Sequence, residues 1–135
     1  MSKSNGLTAE LLEEIVAAFN RRDIEAITGY FAEDGVFVTA RGSEPWGRRI
    51  VGPQAIGKYL EERFKVIPNM RWVDGRNWVV GNRGVSEWRV VGTSVDGEEI
   101  NWLGCDIWEF RDSKIVYKDT YWKYVDRQKA PADYL

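Results

Sequence analysis

The stretch from Val85 to Phe110 constrains this chain more than any other. Val85–Val91 and Ile100–Phe110 are rich in β-branched and aromatic residues, and Asp96-Gly97 lies between them. Two such runs around Asp-Gly predict an antiparallel hairpin. With Asp96-Gly97 as a two-residue turn, Val95 faces Glu98, Glu87 lies opposite Asp106, and Arg89 lies opposite Gly104. Side chains alternate along a strand. Glu87, Arg89, Val91 and Thr93 then share a face with Trp102, Gly104, Asp106, Trp108 and Phe110. The pattern predicts two carboxylates and a guanidinium among tryptophans, either as a site or as an exposed ion cluster. Trp88 and Val90 are expected on the opposite, outer face.

Further strands are expected at Trp72-Val73, Trp78–Val80 and Ile115–Val125, with a glycine-bearing turn at Gly81–Gly84. The last hairpin has two possible registers. A three-residue turn, Arg111–Ser113, puts Lys118, Thr120 and Trp122 on the face of Asp106. A two-residue turn, Asp112-Ser113, puts Asp119 and Tyr121 there instead. A slip of one residue exchanges the faces, so the turn decides what surrounds Asp106.

The first half reads as helical. Thr8 is placed to cap a helix whose Leu11, Leu12, Ile15, Val16 and Phe19 form one apolar stripe. Asp23 is placed to cap a second, with Ile24, Ile27 and Phe31 facing inward and Asp34-Gly35 ending it. Val36–Thr39 follows as a strand, and a short strand is expected at Arg48–Val51. Pro53 suits the first turn of a third helix, with Ile56, Tyr59, Leu60 and Phe64 inward and Pro68 closing it. The fold class is α+β: three N-terminal helices packed into a curved mixed or antiparallel sheet. With 135 residues, the chain is expected to form a single domain over 1–135, its core spanning about 8–125. The tail Gln128–Leu135 is expected to be loose.

Composition narrows the chemistry. Lys+Arg number 19 against 21 Asp+Glu, a net charge of −2 that gives no general attraction to nucleic acid or anionic membranes. No apolar run reaches the roughly 18–20 residues of a membrane span. Met1–Gly6 lacks the apolar core of a signal peptide, so the expected location is cytoplasmic. There is no histidine, which excludes a Ser–His triad, histidine acid–base work and the common zinc sites. The single cysteine, Cys105, excludes an internal disulfide and a thiolate cluster, and is expected as a small buried apolar residue. No phosphate loop, dinucleotide fingerprint or metal-ligand spacing occurs, so no metal and no cofactor are expected.

The element order, together with particular segments, resembles the NTF2-like superfamily, in its SnoaL-like and ketosteroid-isomerase-like branch. The segments are Asp23–Ile27, Phe31–Asp34, Gly42–Pro45, Gly52–Ile56, Asp106–Ile115 and Tyr121-Trp122. The resemblance covers about residues 8–125. It implies a cone in which a curved sheet wraps three helices around an apolar pocket, and a homodimer through the outer sheet face. The superfamily hosts isomerases, cyclases, dehydratases, epoxide hydrolases and non-enzymatic binders, so the fold alone does not name the chemistry. The ketosteroid isomerase mechanism, a worked example of an Asp base with an oxyanion hole of Tyr and Asp, is not implied. Its oxyanion Asp falls on Asp106, but its base falls on Thr39 and its Tyr on Ile15. The epoxide-hydrolase pattern of an Arg between two acids is approached only by Arg89, Glu87 and Asp106, with Thr120 at the last acid position.

The expected catalytic set is Asp106, Arg89, Glu87 and Lys118. Asp106 would act as acid or base while Arg89 and Lys118 stabilise developing negative charge. The expected ligand-binding set is Phe19, Tyr30, Thr39, Tyr59, Trp108, Thr120 and Trp122, which suits a small hydrophobic molecule. Three readings compete. They are a cofactor-independent isomerase, cyclase, hydratase or hydrolase, a carrier with the same pocket, and a dimeric interaction module whose tryptophans plug the cone. Trp46 is a possible lid or surface residue, Arg48-Arg49 a possible anion attractor or solvated edge, and Met70-Arg71 possible rim residues.

Overall fold

Thr8 opens the first helix as the spacing predicts: its side chain accepts a hydrogen bond from Leu11 N at 3.0 Å, capping α1 (Ala9–Arg21). The computed structural model describes residues 7–123 and 125. The tail Gln128–Leu135 lies outside the described residues. Leu12, Ile15, Ala18 and Phe19 form the buried stripe of α1. Asp23 caps α2 (Ile24–Gly29) through Ala26 N. This helix is shorter than its pattern predicts. β1 (Phe31–Val38) begins at Phe31, so Phe31 is a strand residue and Asp34-Gly35 lies inside the strand. Phe31 pairs with Ile115 but Val36 already pairs with Tyr117. The exposed residues Glu33 and Asp34 bulge between those pairs, so Asp34-Gly35 bends a strand instead of ending a helix.

β2 (Arg49–Val51) and α3 (Pro53–Val66) follow, with Pro53 in the first turn of the helix. The rest is sheet: β3 (Arg71–Val80), β4 (Arg83–Thr93), β5 (Glu99–Arg111) and β6 (Lys114–Trp122). The six strands run in the order β2-β1-β6-β5-β4-β3, antiparallel except for the parallel β1–β6 pair. Register shifts in the β1–β6, β3–β4 and β5–β6 pairs curve the sheet. Its concave side and the helices share a core that includes Leu12, Ile15, Phe37, Ile56, Trp108 and Phe110. Among the described residues no helix is long and apolar enough to cross a membrane.

Two hairpins decide which side chains face that core. The β4–β5 connection is one residue longer than expected. Ser94 N donates to Glu98 O and Gly97 N to Ser94 O, both at 2.9 Å, while Gly97 takes φ 87°. The loop therefore holds three residues, Val95-Asp96-Gly97, the last in the left-handed conformation that glycine tolerates. The register shifts accordingly. Ser86 faces Asp106, Trp88 faces Gly104, Glu87 pairs with Cys105, and Arg89 pairs with Leu103. This overturns the expected sharing of faces: Trp88 and Val90 point inward and are buried, whereas Glu87 and Arg89 point outward.

The β5–β6 turn is the two-residue alternative, with Asp112 and Ser113 at φ 53° and 66° and Arg111 paired with Lys114. A bulge beside it reverses the consequence. Phe110 pairs with Ile115, but Glu109 pairs with Tyr117, so Val116 is the extra residue. From there Trp108 meets Lys118, Asp106 meets Thr120, and Gly104 meets Trp122. The short turn thus ends with the face expected of the long one, and Asp119 and Tyr121 lie outside.

Candidate functional site

The concave face of β5 and β6 brings together Asp106, Lys118 and Thr120, all buried under α1 and α3. Lys118 Nζ donates to Asp106 Oδ1 at 2.9 Å and to Thr120 Oγ1 at 2.8 Å. Thr120 Oγ1 donates to the same Oδ1 at 2.6 Å, and Trp88 Nε1 donates to Oδ2 at 2.9 Å. The ion pair is desolvated, its side chains 6% and 7% exposed for Asp106 and Lys118. Such a pair is tolerable only when hydrogen bonds complete it, and here they do.

Aromatic rings close around the ammonium. Lys118 Nζ lies 4.1 Å from the ring centroid of Phe37, 5.4 Å from that of Phe19 and 5.6 Å from that of Trp108. Ring quadrupoles attract a cation there more strongly than they would in water. Trp108 is fixed in turn, its Nε1 donating at 2.9 Å to Ser86 Oγ, which bonds Asn77 Oδ1.

The donor and acceptor inventory leaves room for a ligand. An ammonium has three N–H groups and a carboxylate about four lone-pair positions. Lys118 uses two N–H groups on Asp106 and Thr120, and Asp106 uses two positions on Oδ1 and one on Oδ2. Counting the described residues, one donor on Lys118 and one acceptor position on Oδ2 remain.

These groups form the polar end of a cavity of about 50 Å³. Val16 and Phe19 of α1 wall it on one side, Tyr59, Leu60, Arg63 and Phe64 of α3 on another, and Phe37 and Thr39 at β1. Met70, Trp72, Trp88 and Trp122 complete the apolar lining. Burial raises the Tyr59 phenol while the nearby Arg63 and Arg48 charges act the other way. Thr39 has its hydroxyl engaged, donating to Arg41 O at 2.7 Å and accepting from Arg48 N at 3.0 Å. The loop can lie that close because residue 47 is glycine at φ 78°, where a Cβ would stand 2.1 Å from Thr39 O.

Of the residues expected from sequence, Asp106, Lys118, Phe19, Thr39, Tyr59, Trp108, Thr120 and Trp122 line this one cavity. Glu87 and Arg89 do not. Glu87 pairs with Arg76 at 3.0 Å, and Arg89 contacts Asp74 and Asn101, all on the outer face. Tyr30 is also elsewhere: as the C-cap of α2 it packs against the far end of the core, and its carbonyl accepts from Ile115 N. Trp46 is exposed, with Arg49 stacked 5.0 Å from its ring, and does not line the cavity. Met70 is buried in the cavity wall and only Arg71 is exposed. Cys105 lies half-buried on the outer face, its thiol pushed up mainly by burial. Sequence reasoning missed Trp88, Arg63, Phe37 and Ser86. A three-residue β4–β5 loop would have revealed Trp88 and Ser86. Among the described residues no group of acidic or sulfur ligands could hold a metal ion.

A six-stranded curved sheet closed by three helices is the NTF2-like architecture. Solved structures of that fold superpose on this chain. An NTF2-like protein of unknown function from Burkholderia pseudomallei is 21% identical, with a TM-score of 0.77 and 90% of this chain and 92% of that one covered. A protein from Pseudomonas putida described as a candidate polyketide cyclase is 21% identical, with a TM-score of 0.77 and coverage of 87% and 93%. TerC, co-crystallised with polyporic acid, is 25% identical, with a TM-score of 0.72 and coverage of 84% and 89%. No curated protein matches the sequence. Residues 12–118 match the model of the SnoaL-like domain, and the chain belongs to that family.

Proposed function

We propose that this chain binds a small, largely apolar carbonyl compound in the cavity and catalyses a cyclase- or isomerase-type proton transfer there. One observation carries the reading: a buried Asp106–Lys118–Thr120 cluster forms the floor of a cavity lined mostly by aromatic and aliphatic side chains. The open position on Asp106 Oδ2 takes a proton from the carbon beside the carbonyl. The C–H electron pair moves into the carbonyl, and the oxygen gains the charge. The remaining N–H of Lys118 donates to that oxygen, in a setting where such a bond counts for more than in water. Returning the proton to another carbon gives an isomer; attack of the carbanion on a second carbonyl closes a ring, and the alkoxide formed takes the proton back from Asp106. Arg89 and Glu87 have no part in this reading, because they lie on the other face. The family and the cyclase-like neighbours support the class of reaction.

The test uses solvent deuterium. A panel of aromatic ketones that carry hydrogen on the carbon beside the carbonyl is incubated with the protein in D2O, and deuterium at carbon is read by mass spectrometry. The expected result is protein-dependent uptake into at least one compound, lost in Asp106→Asn and reduced in Lys118→Met. Binding without uptake in any compound would overturn the catalytic half and leave a carrier.

The cavity volume favours a second reading. About 50 Å³ holds a few waters, well below the roughly 300 Å³ of a small ligand site. A ligand must therefore move the Trp122 or Tyr59 ring, and an interaction module with a plugged cone is the alternative. We also propose a homodimer through the outer sheet face, where Trp78, Leu103 and Tyr121 are exposed. Sedimentation should show a dimer that Leu103→Glu splits, and a monomer in the unaltered protein would refute it.

A further inference from the structure

We infer that the cavity mouth selects an anionic ligand, with Arg63 and Arg48 reading its acidic group while its aromatic body enters the cone. The inference rests on the small-molecule site proposed above and adds the charge class of its ligand.

The floor of the cavity is already neutralised, because Asp106 and Lys118 cancel. The mouth is different. Arg63, on α3, lines the cavity and places its guanidinium 5.7 Å from the ring centroid of Trp122. Arg48 lies outside the cavity lining but stands over one of its rings, its guanidinium 5.7 Å from the ring centroid of Tyr59. Trp122 and Tyr59 both line the cavity. The ion pairs among the described residues engage Arg21, Arg76, Arg89, Arg111, Lys65 and Lys118, and neither Arg48 nor Arg63. Among the described residues, two guanidinium groups without a carboxylate partner therefore stand over two rings of the cavity lining.

Their positions are built into the fold. Arg48 N donates to Thr39 Oγ1, so the loop is tied to the cavity wall beside Tyr59. Gly47 permits that close approach. Arg63 is one turn after Tyr59 and Leu60 on the helix face that closes the cavity. A guanidinium resting on a ring keeps its N–H fork in its own plane, free to grip a carboxylate, phenolate or enolate. Focusing of positive charge at a narrow apolar opening also favours an anion over its neutral analogue.

The test compares 2-naphthoate with 2-naphthamide, which have the same shape and differ in charge. Binding is followed by NMR through the indole N–H signals of Trp88 and Trp108, which lie in the cavity. The acid should bind about tenfold more tightly than the amide at low salt, a preference that shrinks as salt rises. Arg48→Gln/Arg63→Gln should remove the preference, weakening the acid by about tenfold more than the amide. Arg48 is exposed and Arg63 half-buried, and unchanged indole dispersion checks that the variant folds. If acid and amide bind equally, or the double variant keeps the preference, the mouth does not read charge and this inference falls while the site stands. If the preference survives the double variant but not Lys118→Met, the anion is read at the floor and the inference also falls. If neither compound moves the Trp88 and Trp108 signals, the cavity binds no such ligand, and both the site and the inference fail.

Discussion

On the inner face, Asp106 and Lys118 pair at 2.9 Å with side chains 6% and 7% exposed. On the outer face of the same sheet, Glu87 and Arg76 pair at 3.0 Å with side chains 47% and 73% exposed. The groups are alike and the separations almost equal. What differs is water. The outer pair exchanges its partner for solvent at little cost. The inner pair has no such exchange, so its geometry must be completed by Thr120 and Trp88. A charge that cannot be solvated is available to act on a ligand, and a charge that can be solvated is not. The comparison explains why only one of two nearby carboxylate–cation pairs makes a candidate site.

The widest separation between the faces should appear on removing one partner. Lys118→Met leaves Asp106 buried and unpaired, and should lower unfolding stability by about 3–5 kcal/mol in a denaturant titration. Asp106→Leu/Lys118→Met should cost much less than the two single changes summed, since the pair disappears together. A single loss below about 1 kcal/mol would mean the ammonium reaches water after all.

A smaller effect is expected from crowding the inner face. A Cβ on Gly104 would stand 2.6 Å from the Trp88 ring and 2.5 Å from Tyr121 O. Gly104→Ala should therefore cost about 1–3 kcal/mol and displace the Trp88 indole from Asp106, visible as a shifted indole N–H signal. Ser86→Ala removes the acceptor of the buried Trp108 N–H. Its expected cost is about 1–2 kcal/mol, again read by denaturation. On the outer face, Glu87→Gln should change stability by less than about 1 kcal/mol, and the change should fade in high salt. A Glu87 effect as large as that of Lys118 would erase the distinction between the faces.

Much of this arrangement was legible in the amino-acid sequence, and the part that was not has a single cause. The caps Thr8 and Asp23 and Pro53 at the start of α3 are local features, and each does locally what its chemistry predicts; Asp96-Gly97 marks a turn, but not its length. Asp106, Lys118 and Thr120 shared a face in one of the two registers that the last hairpin left open. Their neighbours depended on one-residue counts that local chemistry does not settle. Ser94 accepts its own turn bond, which lengthens the β4–β5 loop by one residue and sends Glu87 and Arg89 outward. Val116 bulges, which returns Lys118 to the inside after a turn that should have expelled it. Both choices bury Trp88, Trp108 and Lys118 together, a gain made by tertiary packing. Tyr30 failed for another reason: it caps a helix one turn shorter than its apolar pattern, at the end of the core away from the cavity.

The most direct test of the central claim uses the tryptophans on the two faces as reporters. Trp88 donates to Asp106 and Trp108 lines the cavity, while Trp78 lies exposed on the outer face. Titration with polyporic acid, followed through the indole N–H signals, should move Trp88 and Trp108 to saturation and leave Trp78 in place. Movement of Trp78 with Trp88 and Trp108 stationary would contradict the account, because the ligand would then bind the sheet from outside and the buried cluster would be structural.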